Sequence, residues 1–351
     1  MYLYLKFPAW LKPEIIPGLP FRWYGLMYIV AFGVAYIFFR KQVRERRYPM
    51  TDDEVTSLFF WGILGLLLGA RIFSTLVYEQ TNYYIRQPWL VFWPFHNGRF
   101  TGLQGMSYHG GVIGCITGFL LWGIVKKVDV RDIGDMLACS IPIGYTFGRL
   151  GNFINAELYG RATDAPVGML FPRAEPLPLS MSWVAELAEK TGLSDAAAGG
   201  FVNLPRHPSQ LYEAFFEGIF LWSVAWLIRK KNPFRGFGFG LYIAGYGIIR
   251  FFIEYFRQPD SDLGYRIQLL RGTDAHIAYI HPLTSFSTGQ ILCLAMVAGG
   301  ALIWLLSRRA PNSAFSYIVA KTDAPPSGGT DGATANAKEK STARNRRKRR
   351  R

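Results

Sequence analysis

Seven stretches of the chain are long and apolar enough to leave water, and this repetition limits the possible folds more than any other feature. They are Tyr24–Phe39, Val55–Val77, Ser107–Val125, Ile133–Leu150, Leu211–Ile228, Gly236–Tyr255 and Thr288–Leu306. A bilayer-spanning helix needs ~20 mostly apolar residues. Tyr24–Phe39 lies at the short limit, and the third, fourth and fifth stretches each include or abut a polar residue. None shows the period-two alternation of barrel strands, and their Gly and Ala content suits packed membrane helices. The pattern predicts an all-α fold, a polytopic membrane protein with seven transmembrane helices. A water-soluble chain of 351 residues would carry more charge than the 18% found here.

The formal net charge of +15 first suggests a nucleic-acid partner. Its location argues otherwise. Residues 308–351 carry twelve Lys/Arg against Asp323, Asp331 and Glu339, a net of +9 that leaves the rest of the chain at only +6. Ala320–Lys340 is poor in bulky apolar residues and reads as disordered linker. The basic end beyond it is expected to meet anionic inner-leaflet lipids, at ~1 kcal/mol per basic residue, and no nucleic acid. Within the body, basic clusters follow alternate apolar stretches: Arg40 to Arg47, then Lys126 to Arg131, then Arg229 to Arg235, then the tail. The positive-inside rule then puts the N-terminus outside and the C-terminus in the cytoplasm. Met1–Pro20 lacks the layout of a signal peptide and, being aromatic and Pro-broken, suits a segment at the membrane interface.

This orientation gathers the ionisable residues at one face. Tyr24 opens the first helix there, Arg71 lies in the outer part of the second, His109 opens the third and Arg149 closes the fourth. Glu213 and Glu217 fall on outer turns of the fifth helix, Arg250 and Glu254 on those of the sixth, and Arg257 continues that face. Asp132 and Asp135 are exceptions at the cytoplasmic start of the fourth. Ionisable groups at this depth cost ~2.5–3.5 kcal/mol each, so they face a wet cavity or one another. Arg250 and Glu254 share a helix face and could be a structural ion pair. Counted together, however, Arg71, Arg149, Arg250 and Arg257 could leave guanidinium forks open to a phosphate.

Two motifs add to this. In Gly148–Gly160, glycines flank Arg149, Asn152 and Asn155 stand three apart, and Glu157 could orient an arginine. Ser107–Gly111 holds His109 at a helix start, where a capping role competes with proton transfer. Cys115, Cys139 and Cys293 sit inside apolar stretches and read as packing residues. No Cys/His cluster has metal-ligand spacing, so no metal site is expected.

The run GRLGNFINAELYG resembles the pattern of the prolipoprotein diacylglyceryl transferase family. Arg22–Tyr28, His109–Gly111, Arg206–Glu213 and Arg250–Arg257 match the family as well, in its order, over about residues 20–306. The resemblance implies a multi-pass enzyme of the bacterial inner membrane with its site toward the outer face. It would move diacylglyceryl from phosphatidylglycerol to the lipobox cysteine of a prolipoprotein, releasing glycerol phosphate, with no cofactor. Carried over position by position, Arg149 and Arg250 would hold the lipid phosphate and His109 would be the base. Glu254 or a phosphate oxygen of the lipid could take the proton instead. Tyr24, Arg71, Asn152, Asn155, Glu157, Gly160, Glu254 and Arg257 complete the implied substrate-binding set. The expected organisation is an interfacial segment (1–22), a seven-helix catalytic body (23–306) with an outer cap at about 151–210, and the basic tail (307–351). Within the cap, Ser182–Lys190 reads as a short helix. A phospholipid carrier with an Arg-lined headgroup site is the competing reading; it predicts polar groups along a whole transmembrane path instead of at one side.

Overall fold

In the computed structural model the described residues are 4–16, 18, 21–79, 83–96, 98–100, 105–258, 265–268 and 285–309. Among the described residues, five helices are long and apolar enough to cross a membrane: α1 (Trp23–Glu45), α2 (Asp52–Tyr78), α3 (Tyr108–Lys126), α7 (Ser209–Lys231) and α9 (Thr288–Ser307). The two remaining apolar stretches are filled differently. α8 (Phe237–Ile253) is a shorter apolar helix of 17 residues. The Ile133–Leu150 stretch is broken into α4 (Val130–Ala138) and α5 (Ile141–Ile154) at Cys139 and Ser140. Pro142 explains the break, because it fits the first turn of a new helix, where its missing N–H costs nothing, and not a helix interior. The basic tail from residue 310 onward lies outside the described residues.

Helix starts follow local chemistry. Thr51 and Ser287 form reciprocal capping boxes with Glu54 and Gln290, and the Ser107 hydroxyl accepts from the Gly110 amide at 3.1 Å. α2 packs along α3, α1 along α5 and α8 along α9. The α2–α3 contact depends on glycine, since a Cβ on Gly65 would stand 2.2 Å from the Gly114 carbonyl oxygen. Ile29, Ile37, Phe60, Ile124, Leu227 and Leu306 all point outward and exposed. Such a surface is expected in hydrocarbon and unfavourable in water. The chain is a multi-pass membrane protein.

Short strands lie outside the helices, so the fold is mostly helical and not purely so. Leu5–Lys6 pairs in parallel with Met169–Leu170, and Leu177–Pro178 pairs antiparallel with Phe201–Val202. Between these strands α6 (Ser182–Thr191) covers a small core of Trp183, Val184, Leu187, Leu193, Val202 and Leu204. Tyr4 belongs to that core, and Phe7 packs against Phe153 and Phe171. The N-terminal segment is thus built into the small unit around α6.

At the far end, where α1 ends and α2 begins, a second core forms from Phe39, Val43, Leu58, Phe59, Trp122 and Met136. The basic loops surround it. Asp129 takes hydrogen bonds from Arg131 at 2.7 Å and Arg235 at 3.1 Å. The Arg131 contact chiefly holds the Asp129 carboxyl down at about 2.

Candidate active site

The cap end of the bundle collects charge from three helices. Arg149 lies in the last turns of α5 and Glu213 in the first turns of α7. Glu217 follows one turn later, where residues 214–220 widen to a π-helix. Such widening, with its i→i+5 bonding, is frequent at functional sites. Arg250 and Glu254 come from the end of α8.

One carboxylate oxygen joins the two arginines. Glu213 Oε2 stands 2.8 Å from Arg149 Nε and 3.1 Å from Arg250 Nη1. Arg250 Nη1 also reaches Glu217 Oε1 at 3.6 Å, and its Nη2 meets Glu254 Oε2 at 3.3 Å. Tyr145 lies between the two sides. Its hydroxyl accepts from Arg149 Nε at 2.6 Å and donates to Glu217 in a short hydrogen bond. Both glutamate side chains on α7 are essentially inaccessible, at 1% for Glu213 and 0% for Glu217, while Arg149 keeps 15% and Arg250 11%. The arginines therefore form the accessible side of the cluster. Buried charges of this kind persist only when paired.

A second layer extends from Arg149 into the turn after α5. Arg149 Nη1 faces Asn152 Oδ1 at 3.4 Å. Asn152 and Asn155 both donate to Glu157 Oε1, each at 3.1 Å, and Gln210 donates to the Glu157 carbonyl at 2.7 Å. The motif is thus a folded polar knot anchored to α7. Gly160 and Arg257 pair through their backbones, and a Cβ on Gly160 would fall 2.2 Å from the Phe256 carbonyl oxygen, so only glycine fits. Beside them His207 packs on Phe256 and Tyr212. Burial, assisted by the Arg161 charge, pushes its imidazole down to about 4.

The remaining predicted residues sit further out. His109 is exposed at the start of α3, with Nδ1 2.9 Å from the Tyr78 hydroxyl. Tyr24 bonds Tyr28 at 3.0 Å and lies against Gly151. Glu254 accepts from the Ser287 hydroxyl at 3.0 Å, which ties α8 to the start of α9. Arg71 is buried and donates to the Val91 carbonyl at 2.5 Å and the Gly105 carbonyl at 3.3 Å, with Tyr84 over its guanidinium. It fastens the loop between α2 and α3 and lies apart from the two-arginine cluster. Reading residues one at a time registered Glu213 and Glu217 as charged positions without assigning them a part, and it missed Tyr145. The signal for Tyr145 was its position one helical turn before Arg149. Among the described residues no group of three or more His, Cys, Asp or Glu side chains converges to hold a metal ion.

Comparison with known proteins gives consistent matches. The sequence model of the prolipoprotein diacylglyceryl transferase family matches residues 13–306. The phosphatidylglycerol–prolipoprotein diacylglyceryl transferase of Treponema denticola is 53% identical over 324 residues, covering 87% of this chain and 95% of that protein. The protein of the same name from Treponema pallidum is 50% identical over 312 residues, covering 85% and 93%. That of Chlorobaculum tepidum is 39% identical over 309 residues, covering 86% and 92%.

Proposed function

The chain belongs to the prolipoprotein diacylglyceryl transferase family, and from that premise we propose how its residues carry out the family's reaction. It is a transferase that moves the diacylglyceryl group of phosphatidylglycerol to the lipobox cysteine thiol of prolipoproteins, the first step of lipoprotein maturation. The sulfur–carbon bond forms as the glyceryl carbon–oxygen bond breaks. Glycerol phosphate leaves with the bonding electrons, and the thiol proton passes to a base.

One observation carries the residue assignment: Arg149 and Arg250 share Glu213 Oε2, which places two guanidinium groups side by side at the accessible face of a buried cluster. In this reading they hold the lipid phosphate and stabilise the charge that grows on it as the bond breaks. Fixed cations in a water-poor site serve this end with little reorganisation. Glu254 orients Arg250. Glu157, held by Asn152 and Asn155, shapes the pocket beside Arg149, and Tyr24, Gly160 and Arg257 line the approach. Arg71 acts from a distance by fastening the loop next to His109.

His109 is the assigned base. A thiol of ordinary pKa ~8.5 needs one near neutral pH. For Nε2 to accept a proton, the neutral imidazole must carry its hydrogen on Nδ1 and donate it to Tyr78 Oη, 2.9 Å away.

The seven-crossing topology, with the N-terminus outside, is supported by the basic residues gathered at the end opposite the arginine cluster. With those loops in the cytoplasm, the site faces the outer side of the bacterial inner membrane and the cap of residues 151–210 lies over it. Anionic lipids remain the proposed partner of the basic tail. The test is transfer by the purified full chain from phosphatidylglycerol to a lipobox peptide, following the thioether product. Folded protein that yields no thioether would overturn this reading.

A further inference from the structure

Among the described residues the hydroxyl of Tyr145 is the one group that contacts both Arg149 and Glu217 in the cluster, and the roles proposed above give it no part. Its ring lies under the Arg149 guanidinium, with the guanidinium carbon 4.8 Å from the ring centroid, and meets Tyr246 edge-on at 6.0 Å. Its oxygen accepts from Arg149 Nε at 2.6 Å and donates to Glu217, with Glu213 Oε2 at 3.3 Å. The other edge of the guanidinium is nearly open. Nη1 has Asn152 Oδ1 at 3.4 Å, and no hydrogen bond or ion pair involves Nη2 among the described residues.

We propose that Tyr145 is a positioning residue for the transfer step: its hydroxyl, anchored on Glu217, fixes the Nε edge of Arg149 so that the Nη edge meets the departing phosphate. This inference rests on the assignment of Arg149 to the lipid phosphate. A planar guanidinium held at one point can still turn about that point. Glu213 supplies one point but shares its oxygen with Arg250, so alone it would draw Arg149 toward its neighbour. The Tyr145 oxygen meets the same Nε and takes its hydrogen bond at 2.6 Å, and the ring beneath, 4.8 Å from the guanidinium carbon, sets the plane about that atom. Glu217 makes the arrangement one-directional, because a buried carboxylate can only accept the hydroxyl proton, which turns the oxygen lone pairs toward Arg149. A phosphodiester would still be attracted to a loosely held Arg149, since the charge is unchanged. What requires the fixed orientation is the growth of charge on the leaving oxygen, where small misplacements are costly.

The test is steady-state kinetics of the purified full chain with phosphatidylglycerol and a lipobox peptide, beside a thermal unfolding curve. Tyr145→Phe keeps the ring and removes the hydroxyl. It is expected to lower kcat about 10- to 100-fold, a size typical of lost alignment, while KM for phosphatidylglycerol stays within about threefold. A kcat within threefold of wild type, or a rise in KM that accounts for the whole loss, would overturn the inference. Glu217 offers a second route should the Phe variant unfold. Glu217→Gln keeps an acceptor for the hydroxyl and Glu217→Leu removes it, so the Leu variant should turn over more slowly; equal rates would also overturn the inference. Arg149→Ala measured alongside separates the two claims. Full turnover there removes Arg149 from the phosphate and Tyr145's role with it. An inactive Arg149→Ala beside an unimpaired Tyr145→Phe overturns the positioning role alone.

Discussion

The bundle buries charge at both ends, and the two clusters are completed in different ways. At the end of the basic loops the buried acids Asp132 and Asp135 have definite partners, Asp132 in Tyr48 and Arg235. Both oxygens of Asp135 accept backbone amides, from Gly236 and from Phe239, each at 2.9 Å. Gln42 donates to the Met136 carbonyl and the Ser140 hydroxyl, each at 2.9 Å. Glu45 pairs with Arg229, and Asp52 with Arg40 and Arg44. At the cap end the acids are met by arginine side chains, Glu213 by Arg149 and Arg250 and Glu217 and Glu254 by Arg250, and the Arg149 side chain keeps 15% of its surface accessible. A network closed on backbone groups fastens helices together. One that leaves arginine donors at its surface is built to receive an anion.

The sharpest way to break that comparison is to remove the arginines. Arg149→Ala and Arg250→Ala should each lower transfer by at least ~10³-fold, the upper range for losing one charge-stabilising donor, while the protein stays folded and membrane-inserted. Near-normal turnover in a lipobox-peptide assay would sink the phosphate role. His109→Gln should cost about 10²-fold or more, as for a lost general base, and should change the shape of the rate–pH curve. A retained rate with an unchanged curve would remove His109 as base. The closed end should respond in the opposite sense. Asp135→Ala leaves two buried amides without acceptors and should cost about 1–3 kcal/mol of stability, with turnover at a permissive temperature within threefold. A loss of turnover comparable to that of Arg149→Ala, in folded protein, would erase the distinction between the ends.

The smallest effect refines the comparison inside the cap end. His207 is held at about 4 against an ordinary 6.5, so its neutral form is the one the folded state favours. Above pH 6.5 both folded and unfolded states keep it neutral. As the pH falls from 6.5 toward 4 the unfolded chain takes up the proton first, stability declines, and below 4 this contribution levels off. His207→Gln should flatten that part of a melting-temperature profile. An unaltered slope would show that His207 plays no part in acid sensitivity.

Much of this molecule could be read locally. The apolar stretches, the basic loops between them and the run from Gly148 to Gly160 depend on neighbouring residues alone. So does the Arg250–Glu254 pair, because four residues make one helical turn. Spacing also indicated α6, although its end at Thr191 is set by Gly192, which adopts the left-handed conformation.

Other features could not be read this way. The fourth apolar stretch looks continuous, yet Ser140 and Pro142 divide it into α4 and α5. Arg71 resembled a second-helix counterpart of Arg149 in the sequence, but the fold spends its donors on the Val91 and Gly105 carbonyls. The aromatic N-terminus suited a membrane interface, and the fold pairs Leu5–Lys6 with Met169–Leu170 of the cap.

By itself the sequence determined the class of solvent, the places of the basic loops along the chain and the chemical inventory of the site, because hydropathy, loop charge and motif spacing are properties of neighbours. Only the tertiary structure decided which carboxylate meets which arginine. Tyr145 and Glu217 are 72 residues apart and Tyr145 and Glu213 are 68. Their contact exists because α5 packs against the start of α7, and that packing is set by the shapes of all the helices together.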